Sequence, residues 1–130
     1  MVDRPSLSKG ELNIARILWE LGPSTVRAVF DACPASPPID FSTVQTYLRR
    51  LETKGHATSK LDGRTRIYSA RTKPKTVIRQ TVDDLVGCLF AGDKMPLVRH
   101  LIEDSSISAD DLDELQNLVK RLAKERKEQA

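Results

Sequence analysis

The chain has 130 residues, of which 39% are hydrophobic and 30% are charged, and its formal net charge is +3. No apolar run approaches the roughly 18 residues that a membrane helix needs, and the polar N-terminus does not resemble an export signal. The two cysteines, Cys33 and Cys88, lie far apart and outside any Cys/His cluster, which argues against a zinc site. We therefore expect a cytoplasmic protein that has free thiols, does not insert into membranes and needs no metal or cofactor.

Charge is distributed unevenly along the chain. Residues 1–73 carry 12 Lys and Arg against 7 Asp and Glu, whereas residues 74–130 carry 9 against 11. A basic half joined to a slightly acidic half is typical of a nucleic-acid-facing domain followed by a domain with another role, although many soluble proteins differ this much between halves. We predict two domains that correspond to these two ranges.

The first segments predict two helices and a loop. SKGELNIARILWELG predicts a helix over residues 9–21, which Ser8 and Glu11 start as an S-x-x-E capping box and a Gly-Pro pair ends. STVRAVFDAC predicts a short second helix that Ser24 or Thr25 can cap. The three prolines of PASPPID then predict an irregular connection.

DFSTVQTYLRRLETKG, residues 40–55, predicts a third helix that Asp40 caps and Gly55 ends. At about 100° per residue, its apolar and polar side chains separate onto opposite sides. The apolar side consists of Val44, Tyr47, Leu48 and Leu51. The polar side consists of Ser42, Thr43, Thr46, Arg49 and Arg50.

The polar side of the third helix fits the major groove of DNA. Short Ser and Thr side chains allow a helix to approach base edges closely, and a hydroxyl can donate or accept a hydrogen bond there. Arg49 and Arg50 can reach phosphates or a guanine. The alternative is an ordinary solvated helix, since surface helices often carry Ser, Thr and Arg. We favour DNA binding because a helix-turn-helix pattern precedes this helix and a basic hairpin follows it.

HATSKLDGRTRIYSAR changes from helical to alternating periodicity. Asp62-Gly63 lies between two short alternating runs, which predicts a β-hairpin. We predict that Arg64 and Arg66 lie on one face of the outgoing strand, and that these two arginines and Lys60 contact DNA phosphates. The alternative is that all three are ordinary solvated charges of a hairpin.

From Pro74 onward, every predicted element is a helix. Three helices are expected: one that starts at Pro74, a short one around residues 95–102, and a last one that the SADD segment caps. Together they have more apolar surface than three short helices can bury among themselves, which predicts contact with a second copy of the chain. The residues expected at that interface are Leu85, Leu89, Val98, Leu101, Leu112, Leu115, Leu118 and Leu122.

The order of three helices, a hairpin and three further helices predicts a fold that is mostly α with a small β wing. It corresponds to a winged helix-turn-helix DNA-binding domain followed by a C-terminal helical dimerisation domain. The sequence has no G-x-S-x-G, phosphate-loop or G-x-G-x-x-G motif, so we expect neither an enzyme nor a catalytic residue. The alternative function is a winged-helix module that binds another protein, which an exposed apolar patch on the third helix would favour.

Three segments resemble the penicillinase repressor family, which includes BlaI, MecI and the copper repressor CopY. The first helix has the family's E-x-x-x-x-x-x-L-W pattern from Glu11 to Trp19, and the third helix ends in R-R-L-x-x-K-G at residues 49–55. The outgoing strand carries the family's Y-S pair at Tyr68-Ser69. The resemblance extends over nearly the whole chain and is most specific in its N-terminal half.

The resemblance implies a homodimeric transcriptional repressor that binds a palindromic operator and blocks a promoter. It places the base-reading positions near Ser42, Thr43 and Thr46. In the family's β-lactam branch, a membrane sensor peptidase is a further partner and cuts the repressor at an Asn-Phe bond; the equivalent bond here is His100–Leu101, a departure from that pattern. The C-terminal CxC motifs of the copper branch are absent from this sequence.

Overall fold

The computed structural model describes residues 5–129. The elements in chain order are α1 (Lys9–Leu21), β1 (Ser24–Thr25), α2 (Val26–Ala32), α3 (Phe41–Thr53), β2 (Ala57–Asp62), β3 (Thr65–Ala70), α4 (Pro74–Leu89), α5 (Met95–Glu103) and α6 (Ala109–Gln129). This confirms the predicted fold class, mostly α with a small β wing. The chain divides into two compact units within α4, between Val82 and Asp83. The domain boundary before Pro74 stays a prediction.

Short-range hydrogen bonds set the limits of α1. The Ser8 side chain accepts a hydrogen bond from the Glu11 backbone N–H at 3.2 Å, and the Ser8 backbone N–H donates to Glu11 Oε1 at 2.8 Å. This capping box satisfies amide groups that the start of a helix leaves without partners. The helix ends at Gly22, whose φ of 78° lies in the left-handed region that favours glycine. Both limits agree with the prediction.

α2 and α3 form the helix-turn-helix. Thr25 caps α2, since its side-chain oxygen accepts a hydrogen bond from the Ala28 N–H at 3.0 Å. Residues 34–40 form the irregular connection that their prolines predict. Asp40 occupies the N-cap position of α3, but its side chain makes no capping hydrogen bond, so the predicted Asp40 cap is wrong in that respect.

The three strands form one antiparallel sheet in the order β1-β3-β2. β2 and β3 are the strands of the predicted hairpin, which together with their loop we call the wing. The pairing of Asp62 with Thr65 leaves Gly63 and Arg64 as a two-residue loop, in which Gly63 has a φ of 66°. Arg64 therefore lies in the loop, and the prediction that it shares a strand face with Arg66 is wrong.

The core of the first unit lies between α1, α2, α3 and the sheet. α3 contributes Val44, Leu48 and Leu51, each at most 1% exposed, which confirms three of the four residues predicted for its apolar side. Tyr47, the fourth, is half-buried and packs against the core. The other buried members of the core are Ile14, Ala15, Ile17, Leu18, Val29, Ala57 and Tyr68. The opposite side of α3 is left to solvent.

The second unit contains the end of α4, together with α5 and α6. Ser108 caps α6, because its Oγ accepts a hydrogen bond from the Asp111 N–H at 3.1 Å, as the SADD segment predicts. Of the residues predicted for an interface, those at least 38% exposed are Leu85, Leu89, Val98, Leu101, Leu112 and Leu118, while Leu115 and Leu122 are half-buried. Within residues 5–129, no helix combines the length and the apolar character needed to cross a membrane.

Candidate nucleic-acid interface

The solvent-facing side of α3 carries the polar residues predicted for it. The burial of the aliphatic residues on the other side directs this side outward. The five predicted residues divide by exposure: Ser42, Thr46, Arg49 and Arg50 are exposed, and Thr43 is half-buried. The fold therefore brings the hydroxyls and the arginines of α3 together on one accessible surface.

The hydroxyl of Thr46 is engaged within the helix. Its Oγ1 donates a hydrogen bond to the backbone carbonyl oxygen of Ser42 at 2.9 Å. The oxygen keeps lone pairs that can accept a hydrogen bond, and the methyl group is left for apolar contact. Thr46 is therefore suited to accept from a base amino group or to contact a thymine methyl.

Arg49 and Arg50 give the surface of α3 its positive charge. Among the described residues, no carboxylate forms an ion pair with either guanidinium. The nearest acid along the helix, Glu52, accepts a hydrogen bond from Ser59 Oγ at 2.6 Å. Two exposed cations that form no ion pair within residues 5–129 create a positive potential, which attracts a phosphate backbone.

The wing places its three predicted cations in three different positions. Arg64 lies in the loop that joins β2 and β3. Arg66 lies two residues before the buried Tyr68 and so on the same face of β3, where its Nη1 donates to Ser59 Oγ at 2.8 Å. Lys60 lies on the opposite face of the wing, since it is adjacent to Ser59 on β2. Of the three, Arg66 is the one linked to α3 through a hydrogen-bonded neighbour.

A partly buried ion pair that was not predicted connects the end of α3 to α1. Lys54 Nζ donates to Glu11 Oε1 at 2.7 Å and to the backbone carbonyl oxygen of Ser6 at 3.1 Å. Glu11 is 1% exposed, and burial by itself raises the pKa of its carboxyl group. The hydrogen bonds from Lys54 and Ser8 and the charge of Lys54 outweigh burial, so this pKa lies below its ordinary value.

Buried polar contacts hold the base of the wing. His56, which follows α3, is buried, and its Nδ1 lies 3.1 Å from Thr72 Oγ1. From α1, Trp19 Nε1 donates to the Thr72 carbonyl oxygen at 3.1 Å. These contacts indicate that His56 stabilises the packing at the base of the wing. No cluster of three or more His, Cys, Asp or Glu side chains in the described part of the chain is arranged to hold a metal ion.

The site prediction missed four cations that follow the wing. Between Asp62 and Asp83 the sequence has six Lys and Arg and no acid, a local excess that a finer count of charge would have found. The four beyond the wing are all exposed: Arg71, Lys73, Lys75 and Arg79. They extend the run of positive charge from the wing into the first turns of α4.

A helix-turn-helix whose second helix presents hydroxyls and arginines to solvent, followed by a basic β-hairpin, defines a winged helix-turn-helix protein. Residues 7–121 match the sequence profile of the penicillinase repressor family, and the chain belongs to this family. The predicted family is thereby confirmed. It is a family of DNA-binding transcriptional repressors, the class of protein that the sequence predicts, and not a class of enzyme.

Individual relatives agree with this assignment. The chain is 21% identical over 124 residues to the penicillinase repressor of Bacillus licheniformis, covering 95% of this chain and 97% of that protein. It is 20% identical over 115 residues to the methicillin resistance regulatory protein MecI of Staphylococcus aureus, and the match covers 88% of this chain and 94% of that protein. The solved DNA-binding domain of the repressor BlaI is similar with a TM-score of 0.50 and 24% identity, covering 57% of this chain and 90% of that one. The structural similarity supports the winged-helix fold.

Proposed function

We propose that the protein is a homodimeric transcriptional repressor that binds a two-fold symmetric operator and blocks a promoter by covering it. The observation that carries this proposal is the solvent-facing side of α3, where short hydroxyl side chains precede two arginines that have no ion-pair partner within residues 5–129. A helix of this character enters the major groove, and its N-terminal residues contact the base edges. Membership of the penicillinase repressor family supports the same function.

The proposed roles divide between base reading and phosphate contact. The hydroxyls lie near the N-terminus of α3, where the helix dipole adds partial positive charge that favours an approaching phosphate backbone. Base reading is assigned to Ser42, Thr43 and Thr46. Phosphate contact is assigned to Arg49, Arg50, Lys60, Arg64 and Arg66, of which the two on α3 can also reach a guanine.

Dimerisation is assigned to residues 74–130, and DNA binding to residues 1–73. Six of the eight residues predicted for the dimer interface are large hydrophobic side chains exposed to solvent. Monomers rarely leave large apolar patches uncovered, and a second copy of the chain would cover these side chains. Two copies would present two α3 helices to two half-sites, so we expect the operator to be palindromic.

Release of the operator is assigned to loss of the dimer. A dimer that separates leaves each copy with one half-site, and the gain from simultaneous binding is lost. Proteolysis at His100–Leu101 by a membrane sensor peptidase is a secondary route. That bond lies inside α5, and cutting it would require the helix to unwind locally, since nicking is concentrated at exposed loops.

The first test is a footprint of the purified protein on the intergenic DNA upstream of its own gene, at two salt concentrations. We expect a protected two-fold symmetric site and far weaker binding to random DNA. Because Arg50 is assigned to a phosphate, Arg50→Ala should weaken binding and lower the slope of log K against log salt by about one. Salt-sensitive binding without a preferred site would instead indicate an architectural DNA binder. Absence of any DNA binding would favour the protein-interaction alternative.

A further inference from the structure

Three side chains form a hydrogen-bonded chain between α3 and the wing. Ser59 Oγ donates to Glu52 Oε2 at 2.6 Å, and Arg66 Nη1 donates to Ser59 Oγ at 2.8 Å. We call these three residues the relay. Glu52 belongs to α3, Ser59 to β2 and Arg66 to β3, so the relay connects the helix to both strands of the wing.

The pleat of the wing explains why these residues meet. Ser59 pairs directly with Tyr68, and Arg66 precedes Tyr68 by two residues on β3, so all three share one face of the wing. Tyr68 is buried in the core at one end of this face, whereas Arg66 is exposed farther along it. Glu52 is exposed near the end of α3 and reaches the same face through Ser59.

The relay holds the guanidinium of Arg66 in place without neutralising its charge by a direct ion pair. Glu52 and Arg66 form no direct ion pair in the described part of the chain, since the Ser59 hydroxyl lies between them. The relay uses one guanidinium N–H donor and leaves the others for a ligand. A long side chain on an exposed strand would otherwise sample many rotamers, and ordering it on binding would weaken affinity.

We propose that Glu52 and Ser59 are positioning residues for DNA binding, which hold the Arg66 guanidinium between α3 and the wing, where it contacts a DNA phosphate. This inference rests on the proposed function of the same surface. It also accounts for an acidic residue on the helix that faces DNA: the carboxylate of Glu52 is turned toward the relay, where the hydroxyl of Ser59 and the charge of Arg66 compensate it.

Ser59→Ala tests the relay because it removes the central hydroxyl without changing the net charge. Operator affinity of the full chain is measured for Ser59→Ala, Arg66→Ala and the double variant at several salt concentrations. Ser59→Thr is the matched control, since threonine keeps a hydroxyl and suits a strand. We expect Ser59→Ala to weaken operator binding about three- to tenfold and to lower the slope of log K against log salt by about one, the same change in slope that we expect for Arg66→Ala.

The double variant separates positioning from a merely structural role. If Ser59 acts through Arg66, the double variant should bind no more weakly than Arg66→Ala, and Ser59→Thr should keep the wild-type affinity and slope. Losses that add in the double variant would overturn the inference, as would an unchanged salt slope or wild-type affinity in Ser59→Ala. Failure of the wild-type protein to bind any DNA is a distinct result, because it would overturn the proposed function itself and the relay with it.

Discussion

At the residue scale, Glu11 has two structural roles at once. It completes the capping box of α1 with Ser8, and it accepts the hydrogen bond of Lys54 from the end of α3. Its other oxygen, Oε2, is buried and has no hydrogen-bond partner in the part of the chain that the structure describes. The charged form of Glu11 is therefore stabilised by Lys54 and Ser8 against the cost of burial.

This arrangement predicts a stability that depends on pH. The pKa of Glu11 in the folded chain lies below its ordinary value of about 4.5, so its contribution is fully present above that pH and is lost as the pH falls through the lower, folded value. We expect Glu11→Gln to lower the free energy of unfolding by about 1–3 kcal/mol at pH 7. The difference from wild type should stay constant above about pH 4.5 and shrink as the pH falls below that value, as measured by urea unfolding.

Glu20→Gln is the matched control for this measurement. Glu20 also pairs with a cation, Arg16, at 3.4 Å, but both side chains are more than half exposed. Exposed ion pairs contribute little to stability because water screens them. The control should follow the wild-type pH profile, and a difference between Glu11→Gln and wild type that stays constant from pH 7 to pH 3 would contradict the assigned role of the Glu11 charge.

At the scale of elements, the contact between α1 and α3 depends on one close approach. Gly10 lies in the first turn of α1, and a Cβ added there would lie 2.5 Å from Tyr47 Cζ and Oη. Real side chains do not approach so closely, so a side chain at residue 10 must displace the Tyr47 ring. Tyr47 is part of α3, and the position of the proposed recognition helix is therefore coupled to the lack of a side chain at residue 10.

Gly10→Ala has two opposite effects on stability: it raises the helix propensity of α1, and it crowds the Tyr47 ring. Alanine favours a helix over glycine by about 0.5–1 kcal/mol, whereas overpacking costs about 1–3 kcal/mol. We expect the substitution to lower the free energy of unfolding in the wild-type chain and to raise it in a Tyr47→Ala background, where the ring is absent. Urea unfolding of the four proteins measures both changes. Stabilisation by Gly10→Ala in both backgrounds would show that the Tyr47 ring moves aside freely.

Elements that depend on local interactions were predicted well, and contacts between distant residues were not. The capping box of α1 and the tight turn after Asp62 act within a few residues, so pattern alone locates the helix and the wing. β1 escaped prediction because its two residues are a strand only through pairing with β3, far along the chain. The ion pair of Lys54 with Glu11 likewise joins residues 43 positions apart, and neither helical nor strand periodicity reveals a contact over that distance.

In the candidate site, too, features that depend on local periodicity were predicted, and contacts between distant residues were not. Helical periodicity was enough to predict that the hydroxyls and arginines of α3 face solvent together, since one buried side determines the other. The position of Arg64 was mispredicted because it depends on how many residues the hairpin loop contains. The link from Arg66 to Glu52 through Ser59 requires the side chains of three elements in space, and no periodicity of the sequence encodes it.

At the scale of the whole molecule, the excess of positive charge and most of the exposed apolar side chains lie in different halves of the chain. The basic half carries the candidate DNA interface, and the exposed large hydrophobic residues are concentrated in the half that follows. On α6, Val119 lies within about 40° of Leu112 and Leu115 around the helix and so on the same apolar face. Val119 is 62% exposed, whereas Leu115 is half-buried. A substitution at Leu115 would disturb a single copy as well as any interface, so Val119 is the better probe of dimerisation.

Val119→Asp should therefore dissociate the proposed dimer and weaken operator binding together. A carboxylate forced into an apolar interface lacks a partner, and a monomer loses the second half-site, so full-operator affinity should fall by about 100-fold or more. Binding to a single half-site should be unchanged, because α3 and the wing are intact. Sedimentation equilibrium measures the dimer, and titration of full and half operators measures binding.

Asn117→Asp is the matched control for this last experiment. It adds the same charge to α6 at an exposed residue that lies about 200° around the helix from Val119. We expect this variant to keep both the dimer and operator affinity, so that a loss confined to Val119→Asp reports the apolar face and not the added charge. Tight binding of the full operator by a monomeric Val119→Asp protein would contradict the proposed coupling of operator occupancy to dimerisation, and release would then need a cause within the winged domain itself.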